Sequence, residues 1–215
     1  MSLPASTATE RPLVALHEAE KRYGRRTVLR IDRFELRRGD SVVIIGANGS
    51  GKSTLLRMLS GVAEPTSGRV EHGTDYDALK VCFVPQAGGL LPGLTLTDNL
   101  RAWQRLVGSS PGPDELSTQW YLQDFDLQPF LHTRCGDLSG GFQRLAALAC
   151  ALSTQPDGLF IDEPLSGIDS GHARLLVQGL EAAMSDLQFL VVTDHTAANF
   201  AKAMRVMDLS PGGPA

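Results

Sequence analysis

The 215-residue chain is 42% apolar and 20% charged, a composition typical of a folded globular protein. This length can bury one hydrophobic core, with room for a small inserted subdomain. The net charge of -4 disfavours a nucleic-acid partner, and no run of ~18 apolar residues predicts a membrane-spanning helix. We therefore expect a cytoplasmic protein.

The N-terminal stretch "MSLPASTATERP" lacks the apolar centre of a signal peptide, so we expect residues 1–11 to form a flexible tail before a single domain over residues 12–215. The segments "LVALHEAEKRY" and "VLRIDRFELRRGD" predict two strands around a turn at Gly24. Basic residues concentrate in this region, at Lys21, Arg22, Arg25, Arg26, Arg30, Arg33, Arg37 and Arg38. Their concentration indicates either the solvated face of a hairpin or a contact with nucleotide or lipid headgroups.

The run "SVVIIGA" is apolar and β-branched, as expected of a buried strand, and it leads into a predicted helix that ends at Gly61. The breakers "AEPTSG" separate this helix from two short strands around "GRVEH" and "LKVCFVPQ". Residues 94–153 predict an inserted helical subdomain, with early helices at "TLTDNLRAWQRLV" and "DELSTQWYLQDF".

Strands and helices alternate in the C-terminal part of the chain. The patterns predict the strand "GLFID", the helix "SGHARLLVQGLEAAMSD", the strand "LQFLVVTD", the helix "HTAANFAKAM" and the strand "RVMDLS". This alternation predicts a mostly parallel sheet covered by helices on both faces. The three cysteines, Cys82, Cys135 and Cys150, form no C-x-x-C pair, which favours free thiols in a reducing compartment.

The stretch "GANGSGKST" has the G-x-x-x-x-G-K-[ST] spacing of a phosphate-binding loop, placed between the buried strand and the apolar helix. Its glycines let the backbone curl so that successive amides face phosphate oxygens. Lys52 supplies a positive charge to the terminal phosphates, and Ser53 a hydroxyl to a magnesium ion. The expected nucleotide-binding residues are Gly46, Asn48, Gly49, Ser50, Gly51, Lys52, Ser53 and Thr54.

The predicted fold class is α/β, a phosphate-loop NTPase with a mostly parallel core sheet, an antiparallel β subdomain and the inserted helical subdomain.

Two acidic residues follow the apolar strand in "GLFIDEP". The carboxyl ends of parallel strands meet at one edge of a sheet, where the phosphate loop also emerges. Asp162 is therefore expected to bind the magnesium shell, and Glu163 to polarise the attacking water.

A second helix N-terminus suited to binding an anion is predicted at "DLSGGFQR", where a polar turn with two adjacent glycines meets the apolar helical run "LAALACAL". Bare amides and a positive dipole end make such a helix start suitable for phosphate. One chain thus carries two phosphate-facing helix ends.

Taken together, these motifs resemble the ATP-binding subunit of an ABC (ATP-binding cassette) transporter, and the resemblance extends from about Leu13 to Ser210. "LSGG" resembles the signature that defines this family among phosphate-loop ATPases. The resemblance implies ATP and Mg²⁺ as ligands, with the metal held by Ser53, Gln86 and Asp162. It also implies a head-to-tail dimer, in which the signature of one subunit caps the γ-phosphate held by its partner. The signature residues are Leu138, Ser139, Gly140 and Gly141.

Further roles follow from the resemblance, residue by residue. It implies that Tyr23 stacks on adenine, and that Gln86 and His195 complete the catalytic set with Glu163. Ser166 and Asp169 in "EPLSGID" are similar to the residues that cross the dimer interface. Each of these positions also has an ordinary interpretation as a strand, loop or turn residue.

Three positions depart from the family pattern. Phe142 follows the signature where the family most often has glutamine, and Cys150 replaces an arginine common in the following helix. The histidine motif reads "TDH" where many members have "THD", and His195 is kept because some members use this order. With Ser139 and the two glycines intact, phosphate capping is expected to survive.

Four leucines, Leu90, Leu91, Leu94 and Leu96, cluster in "QAGGLLPGLTLTDNL", directly after Gln86. They either fold back onto the core or form a docking surface for a transmembrane partner. The family places its coupling interface in this region, which favours docking.

The predicted function is an ATP-binding and ATP-hydrolysing subunit that drives transport through a separate transmembrane permease. The resemblance implies a second ATP-binding subunit, identical or different, and a peripheral position on the inner face of the cell membrane. The short helical region and the absence of a C-terminal regulatory domain favour export, while the cargo is not encoded here. The alternative is a soluble ABC ATPase acting on DNA or ribosomes, although the chain lacks a long heptad insert and a second cassette.

Overall fold

A computed structural model describes residues 11–108, 119–200 and 204–210 of the chain. Three strands form an antiparallel sheet in the order β2-β1-β4: β1 (Val14–Tyr23), β2 (Arg26–Leu36) and β4 (Ser67–His72). Five strands form a parallel sheet in the order β5-β6-β7-β3-β8: β3 (Asp40–Ile45), β5 (Val81–Val84), β6 (Gly158–Ile161), β7 (Phe189–Asp194) and β8 (Arg205–Asp208).

The described α-helices are α1 (Lys52–Leu59), α2 (Leu96–Leu106), α3 (Trp120–Asp124), α4 (Gly140–Ser153) and α5 (Ser170–Ala183). The described residues also form short 3₁₀ helices at Tyr76–Ala78, Gln128–Phe130 and Cys135–Asp137. In the part of the chain that the structure describes, no helix is both long and apolar enough to cross a bilayer.

The described residues form two hydrophobic clusters, one against each face of the parallel sheet. One cluster packs α1 and the antiparallel sheet against residues such as Val42, Ile44 and Val191. The other packs α2, α4 and α5 against residues such as Val43 and Val192. Strands buried on both faces are expected for a parallel sheet, because helices cover each side. The predicted α/β class is therefore confirmed.

The strand order brings three strand ends together at one edge of the parallel sheet. β7 lies between β6 and β3, and the register pairs Ile161 with Val192 and Ile45 with Asp194. The loops that leave β3 and β6 therefore start beside the end of β7. These two loops contain the predicted phosphate loop and the predicted acidic pair.

One predicted helix is wrong where it can be compared with the structure. Residues 195–200, the start of "HTAANFAKAM", form turns in place of a helix, and residues 201–203 lie outside the described residues. The Asp194 carboxylate orders the first residues of this segment by accepting the backbone N–H groups of His195 at 2.5 Å and Thr196 at 3.5 Å. Of "DELSTQWYLQDF", the described helix is Trp120–Asp124, and residues 109–118 lie outside the described residues, as does the tail up to residue 10.

Candidate active site

The phosphate loop joins β3 to α1 and depends on a left-handed glycine. Gly51 caps the N-terminus of α1 with a φ of 99°, a conformation that side chains rarely adopt. A Cβ at this position would also lie 3.0 Å from the carbonyl oxygen of Val28 in β2. The loop is therefore packed against the antiparallel sheet, and the first turn of α1 retains backbone N–H groups that the helix cannot satisfy.

Lys52 is buried within this loop, with 3% of its surface exposed. Its ammonium donates to the carbonyl oxygens of Gly46 at 2.9 Å and Ala47 at 3.3 Å. It also forms an ion pair with Glu163, with 3.0 Å between Nζ and Oε1. The predicted phosphate-binding lysine and the predicted catalytic carboxylate are thus in direct contact.

Asp162 lies at the end of β6 and faces the start of α1. Its Oδ1 accepts hydrogen bonds from the Ser53 hydroxyl at 2.9 Å and the Thr193 hydroxyl at 2.7 Å. The carboxylate and the Ser53 hydroxyl are hard oxygen ligands of the kind that Mg²⁺ prefers. These two donors fit a magnesium ion whose other ligands are nucleotide phosphates and water. In the described residues, no group of three or more His, Cys, Asp or Glu side chains could hold a metal ion.

Glu163 is the residue on which the predicted catalytic groups converge. Its Oε2 accepts a hydrogen bond from the Gln86 amide at 2.8 Å and lies 3.6 Å from Nε2 of His195. The structure thus brings Gln86, His195 and Lys52 around one buried carboxylate. Glu163 itself adopts a φ of 46°, an uncommon backbone conformation for a non-glycine residue.

The end of β7 adds a buried carboxylate that the sequence patterns did not single out. Asp194 is 7% exposed, and its Oδ2 has no hydrogen-bond partner among the described residues. Burial raises the pKa of Asp194, and the backbone amides of His195 and Thr196 act in the opposite direction. The carboxylate therefore orders the turn that presents His195.

Tyr23 lies at the end of β1 and is 52% exposed. The ammonium of Lys21 lies 5.6 Å from the centre of its ring. The β1–β2 hairpin reaches the phosphate loop through Val28 and Leu29, which pack against Gly51. An exposed ring on a hairpin anchored to the phosphate loop is a suitable platform for a nucleobase.

The signature segment starts α4, and it is not joined to the chain's own phosphate loop by any hydrogen bond or ion pair among the described residues. Ser139 caps the helix by accepting the N–H of Phe142 at 3.4 Å, and Leu138 is buried. Gly140 is exposed, and a Cβ there would meet no atom within 4 Å. Gly141 is different, because a Cβ there would lie 2.5 Å from the ring of His172.

Phe142, the departure from the usual glutamine, belongs to a ring cluster that joins the signature to α5. Its ring centre lies 4.6 Å from that of Phe130 and 4.7 Å from that of His172. His172 contacts Asp169 at 2.5 Å, and this contact is the main reason that the pKa of Asp169 is lowered. Asp169 also caps α5 through the amides of Gly171 and His172. The two predicted interface segments are therefore connected within one chain. Ser166 is half-buried, and its backbone N–H donates to the carbonyl oxygen of Glu163 at 3.2 Å.

The leucine-rich loop after Gln86 divides into exposed and buried residues. Leu91 is 51% exposed and Leu94 is 39% exposed, whereas Leu90 is half-buried against the core. Leu96 is fully buried, so its prediction as part of a docking surface is wrong. The buried Asn99 side chain holds the loop by bonding both backbone polar groups of Leu91, at 2.8 and 3.0 Å. The fold therefore presents two leucines on a fixed turn.

Cys150, the second departure, is fully buried in α4, and burial raises its thiol pKa well above the usual value. Burial also raises the pKa of Cys135, and that of Cys82 to about 12. All three thiols are free. Cys150 therefore acts as a small apolar core residue at a position where a charged side chain would be desolvated.

The fold and this site define a phosphate-loop nucleotide-binding protein. The family model described as ABC transporter matches residues 29–166. The chain is 34% identical over 176 residues to the cytochrome c biogenesis ATP-binding export protein CcmA of Rhizobium meliloti, covering 79% of this chain and 84% of CcmA. The chain belongs to the ABC transporter family and carries its ATP-binding cassette.

Other relatives have transport-related names. The Nod factor export ATP-binding protein I of Burkholderia orbicola is 30% identical over 189 residues, covering 85% of this chain and 62% of that protein. The phosphonates import ATP-binding protein PhnC 1 of Natronomonas pharaonis is 32% identical over 175 residues, covering 77% of this chain and 75% of that protein. The chain spans 60–62% of the length of the Nod factor export relatives.

Solved structures share the same fold. The ATP-binding subunit of an ABC transporter superposes with a TM-score of 0.78 at 24% identity, covering 91% of this chain and 85% of that chain. A dimeric ATP-binding cassette in a post-hydrolysis state, bound to ADP and Pi, superposes with a TM-score of 0.76 at 26% identity. That match covers 91% of this chain and 93% of the cassette.

Proposed function

We propose that this chain is the ATP-hydrolysing subunit of an ABC transporter. It acts as a dimer in which each ATP is enclosed between the phosphate loop of one subunit and the signature of the other. The observation that carries the proposal is the convergence of Lys52, Gln86 and His195 on the buried carboxylate of Glu163.

Nucleotide binding uses the phosphate loop and the exposed ring of Tyr23. The unsatisfied backbone N–H groups at the start of α1 bind phosphate oxygens, as helix N-termini generally do. Lys52 exchanges its carbonyl and carboxylate partners for the terminal phosphates of ATP. Tyr23 stacks on the adenine, a contact favoured by its exposure at the hairpin end.

A magnesium ion would be held by the Ser53 hydroxyl and the Asp162 carboxylate, with Gln86 reaching it from beside Glu163. When bound, the ion neutralises the charge that develops on the phosphates during transfer. With the Ser53 hydroxyl turned to such an ion, the hydrogen bond from Thr193 would keep Asp162 oriented. Gln86 thereby connects the metal site to the loop that carries the exposed leucines.

Hydrolysis is assigned to Glu163 acting on a water molecule beside the γ-phosphate. Glu163 accepts the water proton as the water oxygen bonds to phosphorus and the bond between phosphorus and the ADP oxygen breaks, yielding ADP and inorganic phosphate. His195 donates a hydrogen bond to the γ-phosphate from the turn ordered by Asp194. A positioned general base of this kind typically contributes ~10²–10⁴-fold to the rate.

The signature at the start of α4 is assigned to the nucleotide of a second subunit. The exposed Ser139 and Gly140 are free to meet a nucleotide held by another chain, while Ser166 and Asp169 contribute to the same interface. Nucleotide bound between two subunits stabilises their association by mass action. The dimeric arrangement of the related post-hydrolysis cassette supports this proposal.

A separate transmembrane permease is the proposed partner, which places the chain at the inner face of the cell membrane. The docking surface is the turn bearing Leu91 and Leu94, directly after Gln86. The relatives' names include both export and import proteins, so the direction of transport is left out of the proposal. Their names all refer to transport or resistance, which disfavours the alternative of a soluble ATPase acting on DNA or ribosomes.

The proposal is tested with Glu163→Gln in the purified protein. We expect this variant to release phosphate ~10²–10⁴-fold more slowly than the wild type and to elute as a dimer with Mg²⁺ and ATP. Glu181→Gln, which makes the same change on the exposed face of α5, is the matched control. A Glu163→Gln variant that hydrolyses ATP at the wild-type rate would remove Glu163 from catalysis.

A further inference from the structure

Thr193 lies in β7 as the first residue of the "TDH" motif, and the family resemblance assigns a role only to the histidine of that motif. It is fully buried, and the pairing of Ile161 with Val192 places it beside Asp162 at the edge of the sheet. Its hydroxyl donates to Oδ1 of Asp162 at 2.7 Å and accepts the backbone N–H of Glu163 at 2.9 Å. One side chain therefore holds both acidic residues of the site.

The two contacts act on different parts of the site. On Asp162, the Thr193 hydroxyl and the Ser53 hydroxyl share the same carboxylate oxygen, which fixes the carboxylate relative to α1. On Glu163, the hydrogen bond satisfies a buried backbone N–H in a residue whose φ is 46°. An uncommon backbone conformation persists only when surrounding contacts hold it in place.

We propose that Thr193 is a positioning residue for ATP hydrolysis. Its hydroxyl orients Asp162 for the metal and holds the backbone turn from which Glu163 projects, so it acts through these two residues. The inference rests on the hydrolysis proposed above and goes beyond it, because it assigns a role to a β7 residue to which the family resemblance gives none.

Thr193→Val removes the hydroxyl while keeping the side-chain shape. Small misplacements of reacting groups can cost ~10²-fold in rate, so we expect kcat to fall roughly 10- to 100-fold. The KM for ATP at saturating Mg²⁺ should stay within about threefold of the wild type, because the substitution leaves the groups that bind the phosphates and the adenine unchanged. The dissociation constant of Mg²⁺ from the complex with a non-hydrolysable ATP analogue, measured by titration calorimetry, should rise. Thr193→Ser, which restores the hydroxyl, should return kcat to within about threefold of the wild type.

A matched control separates this role from general loss of a buried hydroxyl. Thr154 is 4% exposed, and its hydroxyl donates to the carbonyl oxygen of Ala151 at 2.7 Å, at the end of α4. Thr154→Val should lower the melting temperature without changing kcat or the dissociation constant of Mg²⁺. If Thr193→Val does not fold, Thr193→Ala gives the same comparison with Thr193→Ser.

The inference is overturned if the variants without the hydroxyl keep the wild-type kcat, if Thr193→Ser fails to restore it, or if Thr154→Val lowers it equally. A wild-type protein that hydrolyses no ATP would instead refute the proposed function. The two failures are distinguishable, because only the second is visible without any substitution.

Discussion

The ammonium of Lys52 lies 3.0 Å from the carboxylate of Glu163, so the proposed phosphate-binding cation and the proposed base neutralise each other. Both groups are almost fully buried, with side chains 3% and 9% exposed. An ion pair in such surroundings is screened far less than one at the surface. The proposed binding of phosphate by Lys52 therefore competes with this internal contact.

The first prediction follows from this competition. Glu163→Gln should bind ADP more tightly than the wild type, by roughly tenfold or ~1.4 kcal/mol, because Lys52 loses its carboxylate partner. ADP without Mg²⁺ is the appropriate ligand, since it carries no γ-phosphate for Glu163 to act upon. Titration calorimetry measures the affinity. Gln86→Ala removes another partner of Glu163 but leaves the ion pair, and its ADP affinity should stay at the wild-type value.

The second prediction concerns Tyr23 as a stacking platform. Aromatic stacking on a base contributes ~1–3 kcal/mol, so Tyr23→Ala should weaken ATP binding about 5- to 150-fold, while Tyr23→Phe and Tyr23→Trp retain it. Tripolyphosphate has no base, and its affinity should be the same for all four proteins. Equal ATP affinities across the series would make Tyr23 a structural residue of the hairpin.

The third prediction separates docking leucines from core leucines. Leu91→Ser and Leu94→Ser should leave ATPase activity and melting temperature nearly unchanged but abolish co-purification with the transmembrane subunit. Leu96→Ala, a change in the core, should lower the free energy of unfolding by about 2–5 kcal/mol. Leu106→Ser is the matched surface control, because Leu106 is 85% exposed at the other end of α2. Loss of co-purification in that control too would argue against a specific docking turn.

The fourth prediction uses the raised pKa of Asp194. Burial favours the protonated form in the folded protein, so Asp194 contributes stability at pH values below its unfolded pKa, and that contribution is lost as pH rises through the folded pKa. The free energy of unfolding of Asp194→Asn, relative to that of the wild type, should therefore increase as pH rises from about 4 towards neutrality. Urea denaturation across this range measures the trend, and Asp32→Asn on the exposed side of β2 controls for losing one carboxylate. A pH-independent difference would contradict the assignment.

The sequence predicted those parts of the site that are contiguous in the chain. Lys52 and Ser53 follow the loop glycines directly, and Asp162 and Glu163 follow their strand, so local patterns locate them on one sheet edge. Thr193 could not be found in this way, because its role depends on the register between β6 and β7. The same holds for His172, whose ring fills the space beside Gly141 from another helix.

The errors have a similar physical origin. Leu91 and Leu96 look alike as apolar residues in a loop, yet Leu96 begins α2 and points into the core, while the Asn99 bonds hold Leu91 outward. Residues 195–200 are not helical where a helix was predicted, and the Asp194 carboxylate holds the first two backbone N–H groups of this segment. Both outcomes depend on particular side-chain bonds that hydrophobic periodicity does not report.

The geometry at the signature decides which variant can test the dimer. A carboxylate at Gly141 would collide with His172 of the same chain, so loss of activity there would be ambiguous. Gly140 is open, and Gly140→Asp places a negative charge beside the proposed γ-phosphate site of the partner without a clash in its own chain. Two like charges about 4 Å apart repel by ~4 kcal/mol at an effective dielectric constant of about 20, enough to prevent closure.

The most direct test of the head-to-tail site is the number of ATP molecules trapped by mixed dimers of Lys52→Ala and Gly140→Asp. Each variant alone carries two damaged sites and should trap none. A mixed dimer has one site with both lesions and one with neither, so the account predicts one trapped molecule of a non-hydrolysable ATP analogue per mixed dimer. If both proteins are folded and exchange subunits, yet mixtures trap no nucleotide, the signature does not act on the nucleotide of its partner.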